Sequence, residues 1–265
     1  MLLVRGRGGV ASLARALSTR PRATVFLTVP DGAIAAFAAE IARAPGLPAT
    51  SSFVHCSGAL GLDVLSELGA RHALGSFHPL QSFPTPRAPE AFRRSVVAVD
   101  ASTETLRRRL ARLARDLGAR PRRVEDADRA VYHTAAVLAS NYLVALAAEA
   151  AKLLETIGWS EREAVDGLVP LMQGVLEEVA RRGPTAALTG PIRRGDAQTV
   201  SRHLKALAAL DVRSSRDGEV ADVYRMLGRI ALEIAKDAGL KPAAARQIDR
   251  ALTRDVAATR RRRLR

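Results

Sequence analysis

Cysteine is nearly missing from this chain: Cys56 stands alone among 265 residues. A single thiol closes no internal disulfide and builds no cysteine zinc site, so a disulfide-stapled secreted scaffold and a zinc finger are both excluded. A reducing cytoplasm is the expected compartment. Aromatic residues make up only 4% of the chain against 48% hydrophobic; alanine and leucine must fill the core, which favours helices over strands. Lysine is scarce too, with four among 41 basic residues, a bias of overall composition and not the mark of a phosphate-reading surface. Acid is missing from both ends. Residues 1–22 hold five arginines and residues 256–265 five more, so without them the formal charge falls from +14 to +4. Interior charge is mixed, as in "LRRRLARLARD", and reads as a solvated helix face. A nucleic-acid partner is therefore not expected, and the "TRRRRLR" tail reads as a solubilising end. No apolar run long enough for a secretory signal follows the basic start. The arginine-rich head does share its composition with mitochondrial transit peptides, but so does the whole chain, and a plain cytoplasmic reading ranks first. The most apolar stretch, "TAAVLASNYLVALAA", carries Ser140 and Asn141 at its centre and stops short of a membrane span; it is expected to be a buried helix.

What the sequence does contain is a change of period near residue 127. Before it, β-branched runs alternate with helical segments: "TVFLTVPD" (24–31), "SSFVHCSG" (51–58), "HALGSFHPLQSF" (72–83) and "SVVAVD" (95–100), with a short strand near "RRVE". Near-continuous apolar strands between helices predict a parallel sheet covered on both faces. After it the strand signals stop. One long helix is expected from Asp126 to Gly158, and a second that opens on Ser160 with Glu163 three residues on, a capping-box spacing, and closes at Gly183. The loop "PTAALTGPIRRGD" then leads to three more helices. The expected organisation is an α/β nucleotide-binding domain over 1–126, an all-helical domain over 127–255, and a basic tail over 256–265.

Polar residues gather at the predicted strand ends, where doubly wound sheets bind ligands. The first strand ends in Val29, Pro30 and Asp31, the second in His55, Cys56, Ser57 and Gly58, the third in Ser76 and His78. Ser57 and Gly58 are expected to open a helix whose free N–H groups favour an anion or a carbonyl oxygen. Each residue alone also reads as a strand stop or a cap; together they point to one cleft. Cys56 is expected to be buried and inert, since the sequence supplies no base to activate it. No zinc spacing accompanies His55, Cys56 and His78, so no metal is expected. His133 and Ser140 lie seven apart, as do Thr134 and Asn141, and all four can line one side of a helix. His133 and Asn141 admit two readings: a proton donor and a carbonyl-orienting amide at a cleft, or a histidine satisfied by Asp126 or Asp128 beside a helix-contact amide. Arg193 and Arg194 could clamp a carboxylate or phosphate, whereas Asp196 reads as a helix cap. Gly6-x-Gly8-x-x-Ala11 matches the spacing of a dinucleotide fingerprint, but the apolar Met1–Val4 run before it is short for a strand.

In order along the chain, "FLTVPDGAI", "VHCSGALGLDVL", "GSFHPLQSF", "YHTAAVLASNYLVAL" and "LTGPIRRGDAQTVSRHL" resemble the bacterial Rossmann-like proteins that carry the DUF2520 domain. These stand near the ketopantoate reductase, pyrroline-5-carboxylate reductase and 6-phosphogluconate dehydrogenase group. The resemblance implies a Rossmann-like half and a helical half that dimerises. It also implies an NAD(P)-dependent oxidoreductase acting on a small carbonyl or imine substrate. Val29, Pro30, Asp31, Ser57 and Gly58 would then meet the cofactor, NADP or NAD, and His78 and Arg194 the substrate. His133 and Asn141 would serve catalysis, although the lysine usual on that helix in the wider group is missing here. The family places a complete strand–helix–strand unit before the "VPD" strand, where this chain has about 23 residues; one such unit takes roughly 30 or more. "GGVASLARALSTRPRA" is therefore expected to be the helix just before that strand, in a chain truncated at its start with an incomplete cofactor site. The alternative is a non-catalytic, dimer-forming or binding protein that has lost nucleotide binding.

Overall fold

The computed structural model describes the backbone of residues 9–214 and 219–253, and their side chains apart from those of 211–214. Gly6, Gly8 and the tail 256–265 lie outside the described residues. The chain divides into two compact units, Met1–Val144 and Ala145–Arg265.

The first unit is a five-stranded sheet in the order β1 (Thr24–Leu27), β2 (Ser52–His55), β3 (Ala73–Pro79), β4 (Val96–Ala101) and β5 (Arg120–Arg123). Neighbours pair in parallel except β3 and β4, which run antiparallel with Phe77 opposite Val99. The sheet is thus mostly parallel, and β4 reverses because no helix bridges residues 80–95, only a 3-10 turn at Pro89–Phe92. A parallel return would need a crossover of a dozen or more residues, usually helical. Pro121 sits in β5, paired only with β4, where a missing N–H costs no ladder bond.

Alternation along the strands sends side chains to two cores. Leu27, Phe53 and Leu74 face α1 (Gly9–Ser18), α2 (Asp31–Ala42) and α3 (Ser66–Gly69) through Leu17, Ile34, Ile41 and Leu68. Val54, Phe77, Val97 and Val99 face α4 (Glu104–Asp116) through Leu106 and Leu110. Every residue of β2 is buried, as covering on both faces requires. Two expectations change here. The segment after Ser57 is not a helix but a turn, followed by a 3-10 turn at Leu62–Leu65 and the single turn of α3. The long helix expected from Asp126 is broken: α5 (Arg129–Ala139) ends at Ser140, whose φ of −121° and ψ of −71° leave the helical region, and α6 (Asn141–Glu155) starts anew. The Ser140 hydroxyl has two local acceptors for its one proton, the Ala136 carbonyl at 2.7 Å and Asn141 Oδ1 at 2.9 Å, and such local bonding competes with helix continuation.

The second unit is helical. A core of Ile192, Val200, Leu204, Leu232, Ile248 and Leu252 joins α8 (Gly190–Arg194), α9 (Ala197–Ser214), α10 (Glu219–Asp237) and α11 (Pro242–Thr253). α8 lies inside what the sequence suggested was loop. α7 (Glu161–Ala187) opens with the expected capping box between Ser160 and Glu163 and is interrupted at Gly183, whose φ is +76°. Asp196 caps α9 by accepting from the Thr199 N–H at 3.0 Å, as expected. The stretch expected to be a buried helix is not one. By length and composition alone, Asp126–Glu155 could cross a membrane (mean hydropathy 1.4), and only 6% of its most apolar window is buried. Leu138, Tyr142 and Val144 are all exposed.

Candidate functional site

The described polar residues of the first unit converge at the carboxyl ends of β1–β3. In register, Leu27, His55 and Ser76 lie side by side, so His55, Ser76 and, two residues on, His78 project from one face of the sheet. β1 hands over to α2 through Val29 and Pro30, and Asp31 opens the helix. Asp31 Oδ2 accepts from the Ser57 hydroxyl at 2.6 Å, tying the first strand end to the second. That same Ser57 oxygen accepts from the N–H groups of Ala59 and Leu60. The free N–H groups expected at a helix start here are therefore already spoken for, and Ser57 shapes the turn instead of leaving an anion site.

Gly58 is a point of close packing in the site. A Cβ there would lie 2.8 Å from Cε1 and Nε2 of His78 and 2.9 Å from Cδ2 of His133, so only a residue without a side chain lets the two imidazoles close over this turn. The rings of His78 and His133 are 6.3 Å apart at their centroids. His78 Nδ1 lies 2.8 Å from the Tyr132 hydroxyl, with the rings edge to face. Tyr132 and His133 are consecutive on α5, and together they bracket the third strand end.

Beneath them lies a residue that sequence reasoning passed over. Arg129 is the largest fully buried side chain, 1% exposed. It donates from Nε to Asp126 Oδ1 at 3.1 Å and from one terminal nitrogen to the Ser76 hydroxyl. Asp126 also accepts from the Leu62 N–H at 3.1 Å, which anchors the start of α5 to the turn after β2. The signal for Arg129 was faint: an arginine three residues after an aspartate reads as one more surface ion pair.

The net electrostatic effect lowers both histidines, against a smaller raising pull from Asp31. Burial first, and then the Arg129 guanidinium, push His55 down to about 4. Burial, then His133, then Arg129 push His78 down to about 4. Burial raises the Tyr132 phenol to about 12. At neutral pH His55 and His78 are therefore uncharged imidazoles and Tyr132 keeps its proton. His55 Nδ1 accepts from the Ser57 N–H at 3.2 Å, which puts the ring proton on Nε2. Cys56 is pushed up by burial to about 11, so it holds no thiolate near neutrality.

Of the residues expected to form the site, Asp31, Ser57, Gly58, His78 and His133 are brought together with the Val29–Pro30 turn. Asn141 is not joined to them. It follows the break at Ser140, its side chain is exposed, and its amide oxygen accepts from Ser140. The helical phase that would have aligned His133 with Ser140 and Thr134 with Asn141 is lost at that break. Neither Asp126 nor Asp128 satisfies His133; Asp126 is engaged by Arg129 and Leu62. Arg194 belongs to the second unit, on α8. Among the described residues no group of three or more histidine, cysteine or acidic side chains is placed to hold a metal.

A mostly parallel sheet with polar strand-end turns, backed by helices on both faces and followed by a helical unit, defines a Rossmann-like α/β protein. Residues 95–231, just over half of the chain, match the family described as Domain of unknown function (DUF2520), and the chain belongs to that family. Among solved structures it is similar to protein TM1727 from Thermotoga maritima, at 26% identity over 80% of this chain and 78% of that one (TM-score 0.65). A Bacteroides fragilis protein named as a candidate NADP oxidoreductase shares the fold at 22% identity over 88% of each chain (TM-score 0.63). Pyrroline carboxylate reductase from Plasmodium falciparum, solved with NADP bound, does so at 9% identity over 89% of this chain and 80% of that one (TM-score 0.50). No curated protein sequence matches the chain.

Proposed function

We propose that this protein is an NAD(P)-dependent oxidoreductase of a small carbonyl or imine compound. The observation that carries the reading is the closure of His78 and His133 over Gly58 at the ends of parallel strands, the place where this class of sheet binds its ligands. The oxidoreductase names and the NADP of the similar structures support it.

The strand-end residues fit the nicotinamide end of such a cofactor. Val29–Pro30 and Ser57–Gly58 offer backbone and a short hydroxyl, with the Asp31 carboxylate held by Ser57 and two imidazoles closed over Gly58. The described residues offer no G-x-G-x-x-G turn for the pyrophosphate. When bound, the nicotinamide supplies or accepts hydride; the protein's part is to orient the substrate and to move a proton. With the Tyr132 phenol donating to Nδ1, neutral His78 carries its proton on Nε2, beside Gly58, where it can hydrogen-bond a carbonyl oxygen or imine nitrogen. His133 faces the same turn and is the proposed proton donor, with Tyr132 holding His78 in place.

A second copy of the chain is the proposed partner, docking through the helical unit. α7 leaves Val165, Val169, Leu171, Val175, Leu176 and Val179 exposed, and α10 leaves Met226 and Ile230 so. Glu161, Arg162, Asp166 and Glu177 interrupt the apolar residues of α7, a mixture that suits a protein surface better than lipid. We propose a cytoplasmic protein with neither a membrane nor a nucleic acid as partner.

The test is thermal unfolding of the full chain titrated with NADPH and with NADH. Ligand-dependent stabilisation that disappears in Gly58→Val is expected, because the valine side chain would displace both imidazoles. No stabilisation by either nucleotide or by reduced nicotinamide mononucleotide, which needs only the strand-end residues, at millimolar concentration would overturn the oxidoreductase reading and leave a binding protein.

A further inference from the structure

A second cluster of charge lies wholly inside the helical unit, and its chemistry is independent of the strand-end site. A cavity of about 800 Å³ opens between the end of α7, α8 and the junction of α10 with α11. That volume is in the range of small-molecule sites, roughly 300–1,000 Å³. Its wall carries Arg182, Arg193, Arg194 and Lys241, its apolar floor Leu188 and Leu240, and no carboxylate lines it.

Local structure explains how four cations reach one cavity. Gly183, Gly190 and Gly195 take left-handed φ values of +76°, +88° and +75°, and Gly239, just after the end of α10, takes +87°. These turns bring the arginine pair of α8 against the residue that leads into α11. Arg193 donates to the Ala238 carbonyl at 3.0 Å, which fixes its guanidinium at the wall without neutralising it. Arg182 is paired with Glu178 at 2.6 Å. Asp196, two residues after Arg194, accepts from the Thr199 N–H and hydroxyl and feels Arg202 and Arg194 only more weakly. Among the described residues no ion pair engages Arg193, Arg194 or Lys241. Gathering like charges around an apolar floor costs free energy that an anion would recover.

We propose that this cavity binds the phosphate of a small organic phosphate ester, with its organic part on Leu188 and Leu240. The planar forks of Arg193 and Arg194 suit a phosphate's terminal oxygens, and Lys241, which also lines the cavity, adds a point charge. The proposal goes beyond the oxidoreductase reading and rests on no part of it.

The probe is pyrophosphate, titrated calorimetrically into the full chain at about 100 mM salt, where long-range attraction to the arginine-rich ends is screened. One-to-one binding is expected. In Arg194→Met/Lys241→Met, two exposed residues whose loss leaves the helical core intact, affinity should fall about tenfold or more. In Arg43→Met/Arg112→Met, which removes the same charge from the exposed surface of the first unit, affinity should stay within about twofold. Matching circular-dichroism melts for all three proteins would show that the loss is not unfolding. Equal losses in both double variants, or no stoichiometric binding to the parent chain, would overturn the proposal. Neither result bears on the strand-end site, which NADPH titration tests separately.

Discussion

Arg129 adds to burial in keeping the strand-end histidines neutral, since its buried positive charge disfavours a second one on His55 or His78. Replacing it by methionine keeps the volume and removes the charge. The His78 pKa is then expected to rise from about 4 towards, but not to, its ordinary 6.5, because burial still acts on it. An NMR titration of the imidazole Cε1 proton would measure this, and an unchanged midpoint would show that burial and His133 hold His78 neutral without Arg129. A second consequence concerns stability. Both histidines have folded pKa values depressed below the unfolded 6.5, so the folded state resists protonation that the unfolded chain accepts. Their contribution is present above pH 6.5 and is lost as pH falls towards about 4. For His55, fully buried, the loss is about 3 kcal/mol at about 1.4 kcal/mol per pH unit. The urea midpoint should fall steeply between pH 6.5 and 4, and His55→Phe should flatten that fall.

At the scale of elements, the site depends on how few residues make each connection. β1 passes to α2 in three residues, and the Ser57 hydroxyl bonded to Asp31 locks two strand ends together. Because β2 and β3 are parallel and in register, His55 and Ser76 meet, and Arg129 can bridge from α5 to the sheet through Ser76. In the helical unit the comparable local device is the cap at Asp196. Asp196→Ala removes an acceptor for the Thr199 N–H and is expected to cost about 1 kcal/mol of stability. Chemical denaturation reads this directly, and a change below a few tenths would mean that the Gly195 turn alone holds the start of α9.

For the whole molecule, the exposed apolar surface dominates. Leu171 is 64% exposed, an exposure that an isolated surface residue tolerates but that recurs along α7 at Val175 and Leu176. Surfaces of this kind are generally covered by a partner. Leu171→Glu/Val175→Glu places two charges on that face and should convert a dimer to a monomer in light scattering after size exclusion, with the helical circular-dichroism signal unchanged. A parent chain that is already monomeric at micromolar concentration would sink the proposed dimer.

The sequence by itself determined the alternation of strands and helices, the change to helices alone, the caps at Ser160 and Asp196, and the gathering of His78, Ser57 and Asp31 at strand ends. These are short-range features: hydrophobic period, turn chemistry and capping are settled within a few residues, and strand ends in a parallel sheet must share an edge. Only the tertiary structure decided the rest. The direction of β4 depends on what lies between strands, the break at Ser140 on a local hydrogen bond outcompeting an apolar pattern, and the separation of Asn141 from His133 on that break. Arg129 was invisible because burial of a charge has no local sign; it becomes favourable only once Ser76 and Asp126, 53 and three residues away, are folded onto it. The same holds for Gly58, whose missing side chain matters because two imidazoles from β3 and α5 close over it, a contact no pattern in the chain announces.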